Sequence, residues 1–399
     1  MSAGRQYWML AISAALILAV TTGLRNALGL FVSPLNTSTG LGIVSVSFAL
    51  AVGQFMSGVA QPILGALAHR AGSFTIIVLG AVLLALGLAL TPFMRSSFGL
   101  IVVLGIVTAL GSSGGSFSIL IGATAQRLPP ERRAFASGFI NAGGSFGQFV
   151  FAPLAQTLIS AFGWVSALLT LAVTALATIP LGLPLRESKG AAAPAGGISL
   201  SEQTLLAFKD RSYWCLHAGF FTCGFHIAFM VTHLPGEVAL CGLPASVSAA
   251  SLAIIGLANI AGSLGVGWLA QSHRMKVLLA WIYGARAVAI ALYLMAPKTS
   301  LTFYVFAMVL GVTWLATVPP TAGLVGKLFG VRYLATLFGL TFLTHQIGAF
   351  FGAWLGGMAV ALSGSYDWMW YADIAFATFA ALINLPIREA HPKFALAAA

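Results

Sequence analysis

The chain reads as long apolar runs separated by short polar breaks. The runs fall at about 8–31, 43–66, 73–93, 98–121, 134–160, 164–184, 213–236, 246–269, 275–295, 301–325, 333–361 and 367–387. A helix needs roughly 20 mostly apolar residues to cross the hydrocarbon of a bilayer. Backbone groups there find no water, so each segment must satisfy its own N–H and C=O groups, which selects helices over open strands. The pattern predicts an all-α membrane protein of twelve transmembrane helices, numbered here as spans 1 to 12. Arg5 before the first run could mark a signal peptide, but the run from Trp8 to Phe31 exceeds a signal core of about 7–15 residues, holds Arg25 and is followed by eleven similar runs. It is read as the first span.

The polar breaks alternate in charge. Fifteen of the 19 Lys and Arg residues fall on one side: Arg5, Arg70, Arg127, Arg132, Arg133, Arg186, Lys189, Lys209, Arg211, Arg274, Lys276, Lys327, Arg332, Arg388 and Lys393. Only Arg95 and Lys298 fall on the other, and Arg25 and Arg286 lie within spans. By the positive-inside rule this bias puts both termini in the cytoplasm of a cell with an inner membrane. The longest polar stretch, 185–212, contains "RESKGAAAPAGG" and reads as a flexible cytoplasmic linker. It divides the chain into bundles of six helices at 1–184 and 213–399. The "SEQTLLAFKD" that ends it is expected to form a short surface helix.

Composition supports this picture. Hydrophobic residues make up 59% of the chain and charged residues 7%, against about 25% charged in a soluble domain. The net charge of +11 belongs to the loops, and nucleic acid is not an expected partner. Cys215, Cys223 and Cys241 form no CxxC pair, no clustered Cys/His metal set is present, and no GxxxxGK[ST] loop occurs. No cofactor, bound metal or ATP-driven step is expected. Almost no mass lies outside the apolar runs, which argues against an enzyme or a sensor with an output domain.

The two halves echo each other at a spacing of about 200 residues. Gly65, His69, Arg70 and Gly80 fall opposite Gly267, His273, Arg274 and Gly284. "GIVTALGSSGG" in span 4 stands where span 10 has "GVTWLATVPPT", and "RRAFASGF" opens span 5 where "VRYLATLF" opens span 11. A parallel six-plus-six repeat follows. With the central linker and the basic loop "GALAHRAG" after span 2, the whole chain resembles the major facilitator superfamily. It departs from the family's loop signature at His69, where an Asp is usual, and at Ser73 and Phe74, where basic residues are usual. Within the superfamily, "RRAFASGFINAGGSFGQFVFAPL" and "LRNALGLFVSPL" are similar to spans 5 and 1 of monocarboxylate-transporter-like and oxalate/formate-type members. Arg25 matches a lysine of the animal monocarboxylate transporters. Span 8 departs, with Asn259 and Ser263 where those proteins carry an Asp and an Arg.

Ionisable groups inside a membrane are costly and each needs a reason. The resemblance implies that span 1 faces a central cavity. Arg25 near its middle is then expected to anchor a carboxylate, because a guanidinium is always charged and offers a matching fork of donors. The plain alternative is an arginine satisfied by carbonyls or water. Spans 9 and 12 are peripheral in the family, so Arg286 and Asp373 are expected to form a structural ion pair. His226 in span 7 shares a face with Thr222 and His233 and is expected to carry a coupling proton, since imidazole titrates near neutrality. A histidine that simply bonds a neighbouring helix is the alternative.

Polar stripes on spans 2, 5, 8 and 11 add Gln54, Asn141, Ser145, Asn259 and His345 to the candidate binding set, and Asn26 and Trp314 complete it. Such residues taken singly are more often glue between helices. The glycines of "GSSGG" and the tandem Pro319–Pro320 are expected to interrupt spans 4 and 10 at matching places. The reading is a monomeric secondary transporter of a small organic anion, proton-coupled and working by alternating access. The rival keeps the fold but exports drug-like or siderophore-like compounds. A cation in the cavity would disfavour cationic drugs.

Overall fold

The structure is a computed structural model that describes residues 3–125, 127–186 and 198–389. Lys189, Lys393 and residues 187–197 of the expected linker lie outside the described residues. Every regular element among the described residues is helical.

Twelve passes follow the twelve apolar runs. Span 1 is Ala3–Ala27 with a 3-10 turn Leu28–Phe31, span 2 is Ile43–Ala71, and span 3 is Ser73–Leu90 with a turn Thr91–Phe93. Span 4 runs in pieces from Ser97 to Ala125, including a wide-turned segment Ile101–Val107. Spans 5 and 6 form one continuous helical run, Pro130–Ala175, broken at Gly163. There φ is +79°, the left-handed region that a residue without a side-chain carbon enters at no steric cost. Span 7 is Arg211–Leu240, span 8 Ala245–Leu269, span 9 Met275–Met295, span 10 Ser300–Thr313 with Val318–Phe329, span 11 Leu334–Ser363 and span 12 Asp367–Asn384.

Ten of these passes are long and apolar enough to cross a membrane on length and hydropathy alone. The other two, spans 5 and 12, hold back for visible reasons. Span 5 carries Asn141, Ser145 and Gln148, and span 12 carries Asp367, Asp373 and Asn384, polar residues that lower the mean hydropathy of each. The outward side chains are apolar: Leu86, Val173, Trp281, Val288 and Leu292 are all exposed. Water would penalise such a surface, and lipid solvates it. The helix expected at "SEQTLLAFKD" is Leu200–Lys209. Asp210 then caps span 7, its carboxylate accepting from the Ser212 N–H at 2.7 Å and from the Arg388 guanidinium at 3.1 Å.

The helices group into two compact units. The first comprises residues 1–129, 143–200 and 331–340, and the second residues 130–142, 201–330 and 341–399. A cut at the linker alone would assign 130–142 and 331–340 the other way round. The first unit's core includes Leu24, Phe31, Leu84, Leu88, Phe151 and Leu168. The second unit's core is more aromatic, with Phe225, Phe229, Tyr293, Phe303, Phe306 and Trp370. Within each unit glycines let two spans meet at backbone distance. Gly147 of span 5 lies against the Ala19 carbonyl of span 1, and Gly224 of span 7 lies against the His345 carbonyl of span 11. Any larger side chain at either place would collide with backbone.

Candidate functional site

Both expected helix interruptions are present. Span 4 leaves its helical path after Gly114 and resumes at Phe117. Span 10 breaks between Thr313 and Val318, one turn earlier than the prolines themselves. Proline is tolerated in the first turn of a helix but restricts the residue before it, so Pro319 and Pro320 open the second piece instead of kinking its middle. An interrupted helix frees backbone groups that need partners in a membrane. In span 4 the freed carbonyl of Gly115 accepts from the Thr21 hydroxyl at 2.8 Å. In span 10 the work is shared. Arg286 donates through Nη2 to the carbonyls of Thr313 at 2.6 Å and Trp314 at 3.0 Å. Asn259 accepts from the Leu315 N–H at 2.9 Å, and Asn141 donates to the Leu315 carbonyl at 3.0 Å and to the Ser263 hydroxyl at 2.8 Å.

Arg25 lies in the first unit, half-buried on span 1. Its Nη1 donates to the Ser57 hydroxyl at 3.1 Å, and that hydroxyl lies 3.2 Å from the Ser113 hydroxyl beside the span 4 break. Ser118 donates to the Gln61 amide oxygen one layer further along. The Arg25 Nε has no partner. Residues 6–125 and 143–185 contain no Asp or Glu at all, so the spans of this unit offer Arg25 no carboxylate. Ser57 and Ser113 were not singled out from the sequence, although Ser57 sits three residues after Gln54 and four before Gln61 and so continues that stripe. Asn26 is exposed, Gln54 is half-buried and Ser145 is buried.

The second unit holds the other ionisable groups together. His226, Arg286 and Asp373 are all fully buried. The expected direct pair of Arg286 with Asp373 is not what forms. Asp373 Oδ2 bonds His226 Nδ1 instead, from span 12 to span 7. The physical reason is the span 10 break: its bare carbonyls take the Arg286 fork, and the imidazole takes the carboxylate. Arg286 also lies 3.9 Å from the Cys223 sulfur and over the Tyr283 ring. Trp314, at the break, meets the His226 ring edge-on at a centroid distance of 5.8 Å. His226 Nε2, Asp373 Oδ1 and Arg286 Nε are buried without a hydrogen-bond partner.

Of the remaining candidates, His345 stacks on Phe342 at 4.9 Å and contacts the Gln346 amide oxygen at 3.1 Å. His233 is satisfied by the Ala353 carbonyl at 2.7 Å. The structure thus brings His226, Trp314 and Asp373 into one cluster and Asn141 and Asn259 into another at the same helix break. Arg25 belongs to a separate polar ladder in the other unit. The roles of Thr21, Cys223 and Tyr283 could not be read from single residues, because each depends on where a neighbouring helix breaks.

Comparison with known proteins bears on the same geometry. Residues 14–353 match the family model described as Major Facilitator Superfamily. The chain is 26% identical to monocarboxylate transporter 13 of Rattus norvegicus over 385 residues, covering 95% of this chain and 89% of that one. It is 22% identical to the oxalate:formate antiporter of Oxalobacter formigenes, covering 90% and 86%. Among solved structures, a proton:xylose symporter overlays with a TM-score of 0.75 at 15% identity, covering 95% of both chains. The fucose:proton symporter of E. coli gives 0.71 at 16% identity, covering 96% and 99%. These likenesses carry the fold, and the family match decides membership. With helices along all twelve apolar runs, an interrupted helix in each half and a family match over most of its length, the chain belongs to the major facilitator superfamily of membrane transporters.

Proposed function

We propose that this transporter moves a small organic anion of the carboxylate type across the inner membrane by alternating access, with a proton as coupling ion. The observation that carries the reading is Arg25: a permanent charge on span 1, held by one serine hydroxyl, in a unit whose spans contain no acid. A charge inside a membrane span needs compensation, and an arriving carboxylate supplies it with a two-point contact. The charge is released again with the substrate when the protein opens to the other side. Relatives named monocarboxylate transporter and oxalate:formate antiporter support the same substrate class.

His226 is the proposed proton carrier. Asn26, Gln54, Asn141, Ser145, Asn259, Trp314 and His345 are the proposed polar and aromatic surroundings of the substrate. The excess of basic residues in the loops joined to both termini supports a cytoplasmic location for those termini and for the stretch around residue 195. A reporter fused after residue 195 that reads out on the far side of the membrane would overturn that orientation.

The direct test is a thermal-stabilisation screen of purified protein against carboxylates, since a ligand that binds only the folded state raises its melting temperature. A carboxylate that stabilises the wild type and not Arg25→Ala supports the anchor. Wild-type-like uptake of every tested anion by Arg25→Ala refutes it and favours export of neutral or apolar compounds.

A further inference from the structure

We infer that the coupling proton is held by His226 and Asp373 as one unit, and that Arg286 links this unit to the break in span 10. The inference rests on the transporter reading above and adds to it the second member of the proton site and the element it acts upon.

Asp373 of span 12 accepts at Nδ1, which fixes the neutral tautomer as Nδ1–H and leaves the Nε2 lone pair buried without a partner. The charged and titratable groups facing the pair are few. Span 9 contributes Arg286, within electrostatic reach of His226, and Tyr283; span 7 itself contributes Cys223. Span 8 carries no charged residue. Span 10 has Tyr304 near its start and Lys327 in its last turn, where Lys327 approaches Glu389 at 3.5 Å. Span 11 has His345, turned onto Phe220 and Phe342. With His226 neutral, Asp373 ionised and Arg286 charged, the cluster is net neutral. One added proton goes to Nε2, the imidazolium is held by the Asp373 carboxylate, and the cluster becomes net positive. The proton arrives from water on one side of the membrane and leaves to water on the other, with no other bond made or broken.

The pair also has a mechanical address. Arg286 donates to the carbonyls of Thr313, the last residue before the span 10 break, and of Trp314, the first within it. Trp314 itself lies edge-on to His226. On the other side of the break, Leu315 is gripped by Asn259 and Asn141, both proposed substrate residues. Three residues in a row, Thr313 to Leu315, therefore connect the proton pair to the proposed binding stripe. When the pair is ionised it shares the Arg286 charge with those carbonyls. When the pair takes its proton that attraction weakens, and Arg286 rests more fully on the break.

Trp314 provides the test, because a protonated imidazole against an indole quenches its emission. Tryptophan fluorescence of the purified, substrate-free protein is followed over about pH 5–8, where imidazole titrates. The difference between wild type and Trp314→Phe is expected to show one transition, absent in His226→Gln. Asp373→Asn removes the carboxylate that favours the imidazolium, so the midpoint is expected to fall by at least about one pH unit. Uptake by Asp373→Asn is expected to lose its pH dependence in parallel.

A flat profile for the unaltered protein overturns the inference without requiring any variant to fold. A transition that persists in His226→Gln, or one unmoved in Asp373→Asn, overturns it as well. If the transition is present but no carboxylate stabilises the protein, the substrate reading fails and the proton site stands. If carboxylates bind and no transition appears, the reverse holds.

Discussion

The two units each hold one arginine within a span, and they compensate it in opposite ways. Arg286 in the second unit has a carboxylate in its cluster and two backbone carbonyls under its Nη2. Arg25 in the first unit has a serine hydroxyl and no acidic residue anywhere in that unit's spans. An arginine whose donors are taken up by its own protein is part of the framework. An arginine left electrically uncompensated can serve a ligand that brings the missing charge. The difference lies in the surroundings and not in the residue type, and it separates a structural cation from a proposed binding cation.

The strongest way to break this comparison is to remove each charge. Arg25→Ala is expected to abolish anion uptake while the protein inserts and melts at the wild-type temperature or above. Hydrogen bonds to charged groups contribute about 1.5–3 kcal/mol, so anion affinity should fall at least tenfold. Arg25→Lys keeps the charge but loses the fork, and should fall between the two. A radiolabelled uptake assay with a melting curve on the same preparation reads both properties. Loss of stability together with loss of uptake would make Arg25 a framework residue like Arg286.

The second test is the converse. Arg286→Gln leaves the Asp373 charge without its cation and the Thr313 and Trp314 carbonyls with weaker donors. Removing one member of a buried charged set costs about 3–5 kcal/mol. The expected result is a lower melting temperature whether or not an anion is present. Arg286→Gln combined with Asp373→Asn should be more stable than Arg286→Gln alone, because no unpaired charge remains. A double variant less stable than either single one would show that the two residues do not share a charge balance.

The positions of the spans were legible because the apolar runs are long and the loop charges alternate. Each is a property of tens of residues, and lipid enforces it without exception. Arg25 stood out for the same reason: a charge at mid-run has no local excuse. The partner of Asp373 was not legible. Arg286 and His226 are both candidates on sequence, and the choice depends on span 10 breaking at 314–317, which leaves two carbonyls that outcompete the carboxylate for the guanidinium. The prolines signalled a break, but its position one turn earlier follows from the restriction they place on the residues before them. Ser57 and Ser113 were hidden because small hydroxyl residues are common in membrane helices, and only the packing of spans 1, 2 and 4 picks them out.

The smallest expected effect compares the two breaks themselves. In span 4 a single hydroxyl, Thr21, serves the freed carbonyl of Gly115. In span 10 Arg286, Asn259 and Asn141 all serve the break. Thr21→Val keeps the shape of the side chain and removes one neutral hydrogen bond, which contributes about 0.5–1.5 kcal/mol. Thr21 also bonds the Ile17 carbonyl of its own helix at 3.0 Å, and that carbonyl keeps its backbone partner, so little beyond the Gly115 contact is lost. Asn259→Ala removes the acceptor from a backbone N–H that has no intrahelical partner, and an unsatisfied donor of this kind costs about 1–3 kcal/mol. The melting temperature should therefore fall for both variants and fall further for Asn259→Ala. Uptake should separate them more sharply: Thr21→Val should keep its substrate affinity, while Asn259→Ala should weaken it, because Asn259 both holds the break and belongs to the proposed binding stripe. Equal losses of stability with equal retention of uptake would mean that the span 10 break is held for structure alone, and the extra partners at that break would then need no functional reading.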